Sequence, residues 1–160
     1  MSMRRRGKVR KPVVALAIAV LVELGAGVAL ATPMVGSRLE FLGRGTVADR
    51  IKVHTRDVKL QTKGPVDFLV NRLTIDPGGH TGWHSHPGPN LVTVQSGTVT
   101  SYDADCSART YTAGQAFVDP GNHAHIMRNS GPGQAALLVT SILPVGAQLR
   151  VDEPAPAVCF

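Results

Sequence analysis

Beyond residue 31 the chain breaks into short runs of alternating apolar and polar residues, separated mostly by glycine- and proline-bearing turns. No later stretch keeps a helical period over ten or more residues, so each run reads as a half-buried strand. The expected strands are 47–53, 57–61, 66–75, 91–95, 98–102, 109–112, 115–118, 124–128 and 135–143. In 66–75, Phe68, Val70, Arg72 and Thr74 share one face, while Leu69, Asn71, Leu73 and Ile75 share the other. Asp76-Pro77-Gly78-Gly79 reads as a tight turn. Strands this short and evenly spaced predict an all-β sandwich or barrel. Aromatic residues make up only 4% of the chain, so its core rests on Val, Leu, Ile and Ala.

The charge pattern removes one class of partner. The chain carries a formal charge of +6, yet Arg4, Arg5, Arg6, Lys8, Arg10 and Lys11 cluster before residue 12. Residues 32–160 hold 11 of the 17 basic and 10 of the 11 acidic residues, scattered without a basic stripe. Such a surface excludes nucleic acid as a partner. The cationic start, the apolar run Val13–Leu30 and the small-x-small site Ala29-Leu30-Ala31 together read as a secretory signal peptide over 1–31. A membrane anchor is the rival, because 13–31 nearly spans a bilayer, though Glu23, Gly25 and Gly27 weaken it. Either reading places the rest of the protein outside the cytoplasm, with membrane contact only through this segment. Residues 32–45 read as a linker or loose first strand, and 46–160 as one domain of ordinary size. Cys106 and Cys159 are the only cysteines, and in an oxidising compartment they are expected to form a disulfide.

The chemistry concentrates in two segments. In Gly78–Asn90, His84 and His86 stand two apart, so on a strand both imidazoles leave one face. Paired imidazoles suit Fe, Mn, Ni, Cu or Zn better than Ca or Mg. An isolated pair is weak, since two hydrogen-bonded or surface histidines look the same. About 40 residues on, Gly114–Asn129 reads GQAFVDPGNHAHIMRN and carries His125.

Here the chain resembles the small single-domain cupins. Gly78, His84, His86 and Gly97 fall on the family's first motif, G-x5-H-x-H-x3-E-x6-G, with Asn90 in place of Glu. Gly114, Pro120, His125 and Asn129 fall on the second, G-x5-P-x-G-x2-H-x3-N, with Asn122 in place of its second Gly. The resemblance implies an all-β jelly-roll barrel, or double-stranded β-helix, with one divalent transition metal on His84, His86 and His125. Asn90 stands at the fourth ligand position but offers only a neutral carbonyl, so three neutral imidazoles would leave the ion's charge to attract an anionic ligand. By strand parity Val92, Val94 and Met127 are expected to line the pocket, with Arg72 as a carboxylate clamp if its face turns inward. His80 and His123 flank the ligands as acid/base groups or as ordinary loop histidines. Trp83 has the opposite parity and is expected to pack outside.

The fold hosts many activities, so it does not choose among them. A metal-dependent dioxygenase or related enzyme and a non-catalytic binder of a small, anionic ligand are weighed equally, ahead of a structural or interaction protein. A homodimer is common in the family.

Overall fold

The computed structural model describes residues 31–159, and the signal or anchor helix expected over 1–31 lies, apart from Ala31, outside the described residues. The described residues form twelve strands and no helix. In chain order they are β1 (Val35–Val47), β2 (Lys52–His54), β3 (Lys59–Gln61), β4 (Val66–His80), β5 (His84–Ser85) and β6 (Asn90–Ser96). Then follow β7 (Thr98–Asp103), β8 (Ala108–Thr112), β9 (Ala116–Asp119), β10 (His125–Arg128), β11 (Ala135–Pro144) and β12 (Val151–Asp152). Ten of them join one sheet in the order β12-β5-β10-β4-β11-β6-β9, with β1 on β4, and β7 bridging β10 and β8. That sheet curls into a nearly closed barrel, consistent with a cupin jelly roll. β2 and β3 make a separate hairpin.

Most of the expected strands are present, and three local readings need correction. Residues 32–45, read as a linker or loose first strand, belong from Val35 onward to the 13-residue β1, antiparallel to β4. The strand expected over 47–53 does not exist as one piece: β1 ends at Val47 and β2 starts at Lys52. Asp76-Pro77-Gly78-Gly79 does not reverse the chain. It is an outward bulge within β4, opposed on β1 by the single residue Gly36 between the pairs Ser37–Ile75 and Val35–His80. The main chain of Gly78 and Gly79 is held by Asn129, at 2.8 and 3.0 Å.

β4 sets the interior. Its residues alternate, with Leu69, Asn71, Leu73 and Ile75 buried and their neighbours partly exposed. Leu73 and Ile75 pack with Val92, Val94, Val99, Met127, Leu137 and Val139 in the main core. Each such side chain contributes about 1.5–3 kcal/mol by leaving water. Arg72 belongs to the outer face, where Nη1 pairs with Glu40 of β1 at 2.9 Å, so it is not the interior clamp considered from sequence.

At the far end of β4, Asp67 ties three segments together. Its carboxylate accepts from the Thr46 hydroxyl at 2.6 Å, from the Gly146 amide at 2.9 Å and from Arg44 Nε at 3.0 Å. These partners, the Thr46 hydroxyl first, lower its pKa to about 2. An unfolded Asp titrates near 3.9, so the stabilisation is present at neutral pH and is lost as the pH falls towards 2. Asp67→Asn is expected to lower the melting temperature by several degrees at pH 7 and by almost nothing near pH 2. Thermal melts of both proteins across that range check it.

A second, smaller cluster lies around Trp83, Ile126 and Cys159, with Tyr102, Cys106 and Ala124 packed against it. The Cys106–Cys159 disulfide is present, with Cα atoms 5.5 Å apart. Trp83 is 1% exposed and sits in this cluster, not in the ligand-bearing cavity. Its amide donates to Thr32 Oγ1 at 2.6 Å. The chain at Thr32 passes so close that a Cβ on Gly82 would lie 2.2 Å from the Thr32 carbonyl oxygen. With φ at +68°, position 82 requires glycine on both counts.

Candidate metal centre

The strand order places the three histidines together. β5 and β10 are hydrogen-bonded neighbours, with His84 directly opposite His125. His86 follows two residues after His84 and therefore returns to the same face. All three side chains are buried, at 4%, 8% and 2% exposure for His84, His86 and His125. Their ring centroids lie 4.7, 4.4 and 5.3 Å apart, and one ligating atom from each falls within 4.8 Å of the other two. Nitrogens sharing an ion at about 2.1 Å stand roughly 3–4.2 Å apart, so this grouping lies near that of a ligand set.

The backbone chooses which nitrogen faces inward. Nδ1 of His84 donates to the Gly82 carbonyl at 2.9 Å, and Nδ1 of His86 to that of Leu149 at 2.6 Å. Nδ1 of His125 faces the His123 carbonyl at 3.5 Å. The bonds of His84 and His86 fix the Nδ1–H tautomer and leave Nε2 with a free lone pair, which is how metal-bound histidines are held, and the longer His125 contact points the same way. The rings are also kept neutral. Burial, aided by repulsion from His125, His86 and Arg150, lowers the His84 pKa to about 2. Burial likewise lowers those of His86 and His125, against the opposing pull of Asp119.

Two buried nitrogens test whether this set suits a metal. His125 Nε2 and Asn71 Nδ2 have no hydrogen-bond partner among the described residues. Leaving such a group unsatisfied costs about 1–3 kcal/mol. A cation at the centre of the three rings removes that cost for His125, and an oxygen-bearing ligand beside the cation would remove it for Asn71. The donor set therefore fits a transition metal.

The cavity is small, about 50 Å³, against roughly 300–1,000 Å³ for ordinary small-molecule sites. Leu73, Val92, Met127 and Val139 supply its apolar wall, and Asn71, Thr81, Asn90, Asp119 and Arg150 its polar points. Val92 and Met127 stand where parity put them; Val94 is buried deeper in the core and does not reach the cavity. Arg72 is absent from the wall, and the cation present there is Arg150, which sequence reasoning missed. Its Nη1 donates to the Thr81 carbonyl at 3.0 Å and its Nε to Asp152 at 2.8 Å.

Asn90 is buried beside the histidines, but both ends of its amide are engaged. Oδ1 accepts from the Ser141 hydroxyl, and Nδ2 donates to Asp119 Oδ2 at 2.7 Å. Asp119 was also missed, since the expected strand stopped one residue short of it. Its Oδ2 lies 3.9 Å from Nε2 of both His86 and His125. Its Oδ1 accepts from Gly121 N at 3.0 Å, which fixes the turn leading to His125. Asn122 in that turn has φ at +57°, which asparagine tolerates better than other non-glycine residues; this accounts for its standing where the motif has glycine.

The flanking histidines separate. His80 Nδ1 accepts from the Gly82 amide at 3.1 Å, a local turn contact. His123 lies on the outer side, its Nε2 3.2 Å from Asp103 and 3.6 Å from Asp119, and with Asp119 and His125 it forms a second cluster of ligating atoms.

Residues 71–141, the segment that carries all three histidines, match the family described as the cupin domain. No curated protein matches the chain. Among solved structures, a conserved protein with a double-stranded β-helix domain from Klebsiella pneumoniae is 22% identical, covering 71% of this chain and 85% of that one, with a TM-score of 0.48. A conserved protein of unknown function from Streptococcus pyogenes is 25% identical over 48% of this chain and 65% of its own, with a TM-score of 0.44. An oxalate oxidase in complex with the substrate analogue glycolate is 26% identical over 46% of this chain and 41% of its own, with a TM-score of 0.43.

Proposed function

We propose that this is an exported cupin that binds one divalent transition metal on His84, His86 and His125 and holds a small, oxygen-bearing and anionic molecule at that metal. The observation that carries the reading is the unpartnered Nε2 of His125, 2% exposed and grouped with the inward nitrogens of two tautomer-fixed histidines. When bound, the ion supplies Lewis-acid or redox chemistry. The chain's own groups then orient the ligand: Asn71 Nδ2 is an unused donor, Arg150 brings positive charge, and the apolar wall limits water. Export rests on the composition of 1–31 and on the Cys106–Cys159 bond, which suits an oxidising compartment. The metal remains one of Fe, Mn, Zn, Ni or Cu.

Two uses of the centre differ in outcome. A dioxygenase or related enzyme needs coordination positions beyond those the protein fills, and a three-histidine set leaves them. A binding protein is favoured by the size of the cavity, which admits an ion with only a very small companion. Protein purified without added metal is expected to contain close to one ion per chain by elemental mass spectrometry. Turnover, including oxygen uptake, on a panel of two- to four-carbon carboxylates supports the enzyme; saturable binding without turnover supports the binder. Protein that neither carries nor takes up a transition metal overturns both.

A further inference from the structure

We propose that Asp119 supplies an anionic fourth ligand to the metal, and that Asn90 is the residue that positions it. The proposal rests on the three-histidine reading above and deepens it. The position that usually brings glutamate holds Asn90, whose carbonyl oxygen is turned to Ser141 on the neighbouring β11 and so is taken. Its amide faces the other neighbour, β9, where Asn90 lies directly opposite Asp119. The 2.7 Å bond from Asn90 Nδ2 fixes Asp119 Oδ2 at equal distances, 3.9 Å, from Nε2 of His86 and His125. Two ligands on one ion at about 2.1 Å stand roughly 3–4.2 Å apart, so this oxygen already sits at ligand spacing.

The carboxylate is buried, at 7% exposure, and among the described residues no Lys or Arg side chain is paired with it. A carboxylate taken out of water is costly unless a cation joins it. The side chain has thus moved from one strand to the next: the amide at 90 and the carboxylate at 119 together do what one glutamate does. The resulting set is three nitrogens and one anionic oxygen, which lowers the charge left for an external ligand from about +2 to +1.

The test uses Cu(II) and Mn(II) as probes on the whole protein. Asp119→Asn keeps an oxygen for the Gly121 amide and removes the charge. It is expected to weaken both metals by at least about 100-fold in chelator competition, beyond the 10–100-fold typical of groups that touch only a ligand. The Cu(II) electron paramagnetic resonance parameters should also move as the oxygen is lost. Exchanging the pair, as Asn90→Asp with Asp119→Asn, is expected to restore most of the affinity. Wild-type protein that binds neither probe sinks the three-histidine reading itself. Wild-type binding with an unchanged Asp119→Asn affinity leaves the histidines standing and removes Asp119. A weaker affinity with an unchanged spectrum makes Asp119 a remote charge and overturns its ligand role. If the variant does not fold, carboxylate-13C-aspartate in the wild type answers the same question. A 13C hyperfine coupling to bound Cu(II) supports the ligand, and its absence overturns it.

Discussion

His125→Leu is expected to abolish metal uptake while leaving the metal-free protein as stable as the wild type or more so. The two effects have one cause. His125 Nε2 is buried with no hydrogen-bond partner among the described residues, and Nδ1 has only a long contact at 3.5 Å. Without metal the imidazole is a liability of about 1–3 kcal/mol, and leucine fills similar space without it. With metal the order reverses. An ion at 100 times its dissociation constant adds about 2.7 kcal/mol to the wild type and nothing to a protein that cannot bind it. Loss of an inner ligand should reduce affinity by more than about 100-fold. Urea unfolding with and without metal reads both effects, and the stability curves of the two proteins should cross as metal is added. A metal-free variant destabilised by 2 kcal/mol or more would make His125 a structural core residue. Undiminished uptake would remove it from the ligand set.

Reduction of the Cys106–Cys159 bond should produce the other large change, a loss of about 3–4 kcal/mol and roughly 10 °C in melting temperature. The bond closes a segment 53 residues long, so loop-closure entropy alone gives most of that figure. Packing adds a local consequence. Cys159 is 4% exposed against Trp83 and Ile126, on the side of β5 and β10 opposite the cavity. Releasing the tail uncovers Trp83, whose neighbour His84 is a candidate ligand, so metal affinity should fall together with stability. Melts with and without reductant, with a thiol count to confirm two free cysteines, decide it. An unchanged melting temperature in fully reduced protein would show that the tail contributes little.

The barrel was legible because its strands are amphipathic on a two-residue period, and β4 shows why that signal is strong. Burying Leu69, Leu73 and Ile75 demands one orientation, and the same parity puts Arg72 in solvent beside Glu40. The clamp considered at Arg72 failed because strand parity outweighs the attraction of a charge for a pocket. Residues 35–47 were hidden for the converse reason. β1 is a mostly exposed edge strand, with Phe41 63% and Val35 51% exposed, so it shows no inward stripe. The bulge at 76–79 has turn chemistry locally, but hydrogen bonds to Asn129, far away in sequence, hold it in the strand. The three histidines were legible from motif spacing, whereas Asp119 required the pairing of β6 with β9, which spacing along the chain does not encode.

The entry of the domain is stitched to its exit. Ala31 already bridges Pro154, and Thr32 is tied to Glu153 and Trp83. The start of the domain is thereby fastened along the edge formed by β5 and β12, so a change at Glu153 or Pro154 disturbs both ends of the domain together.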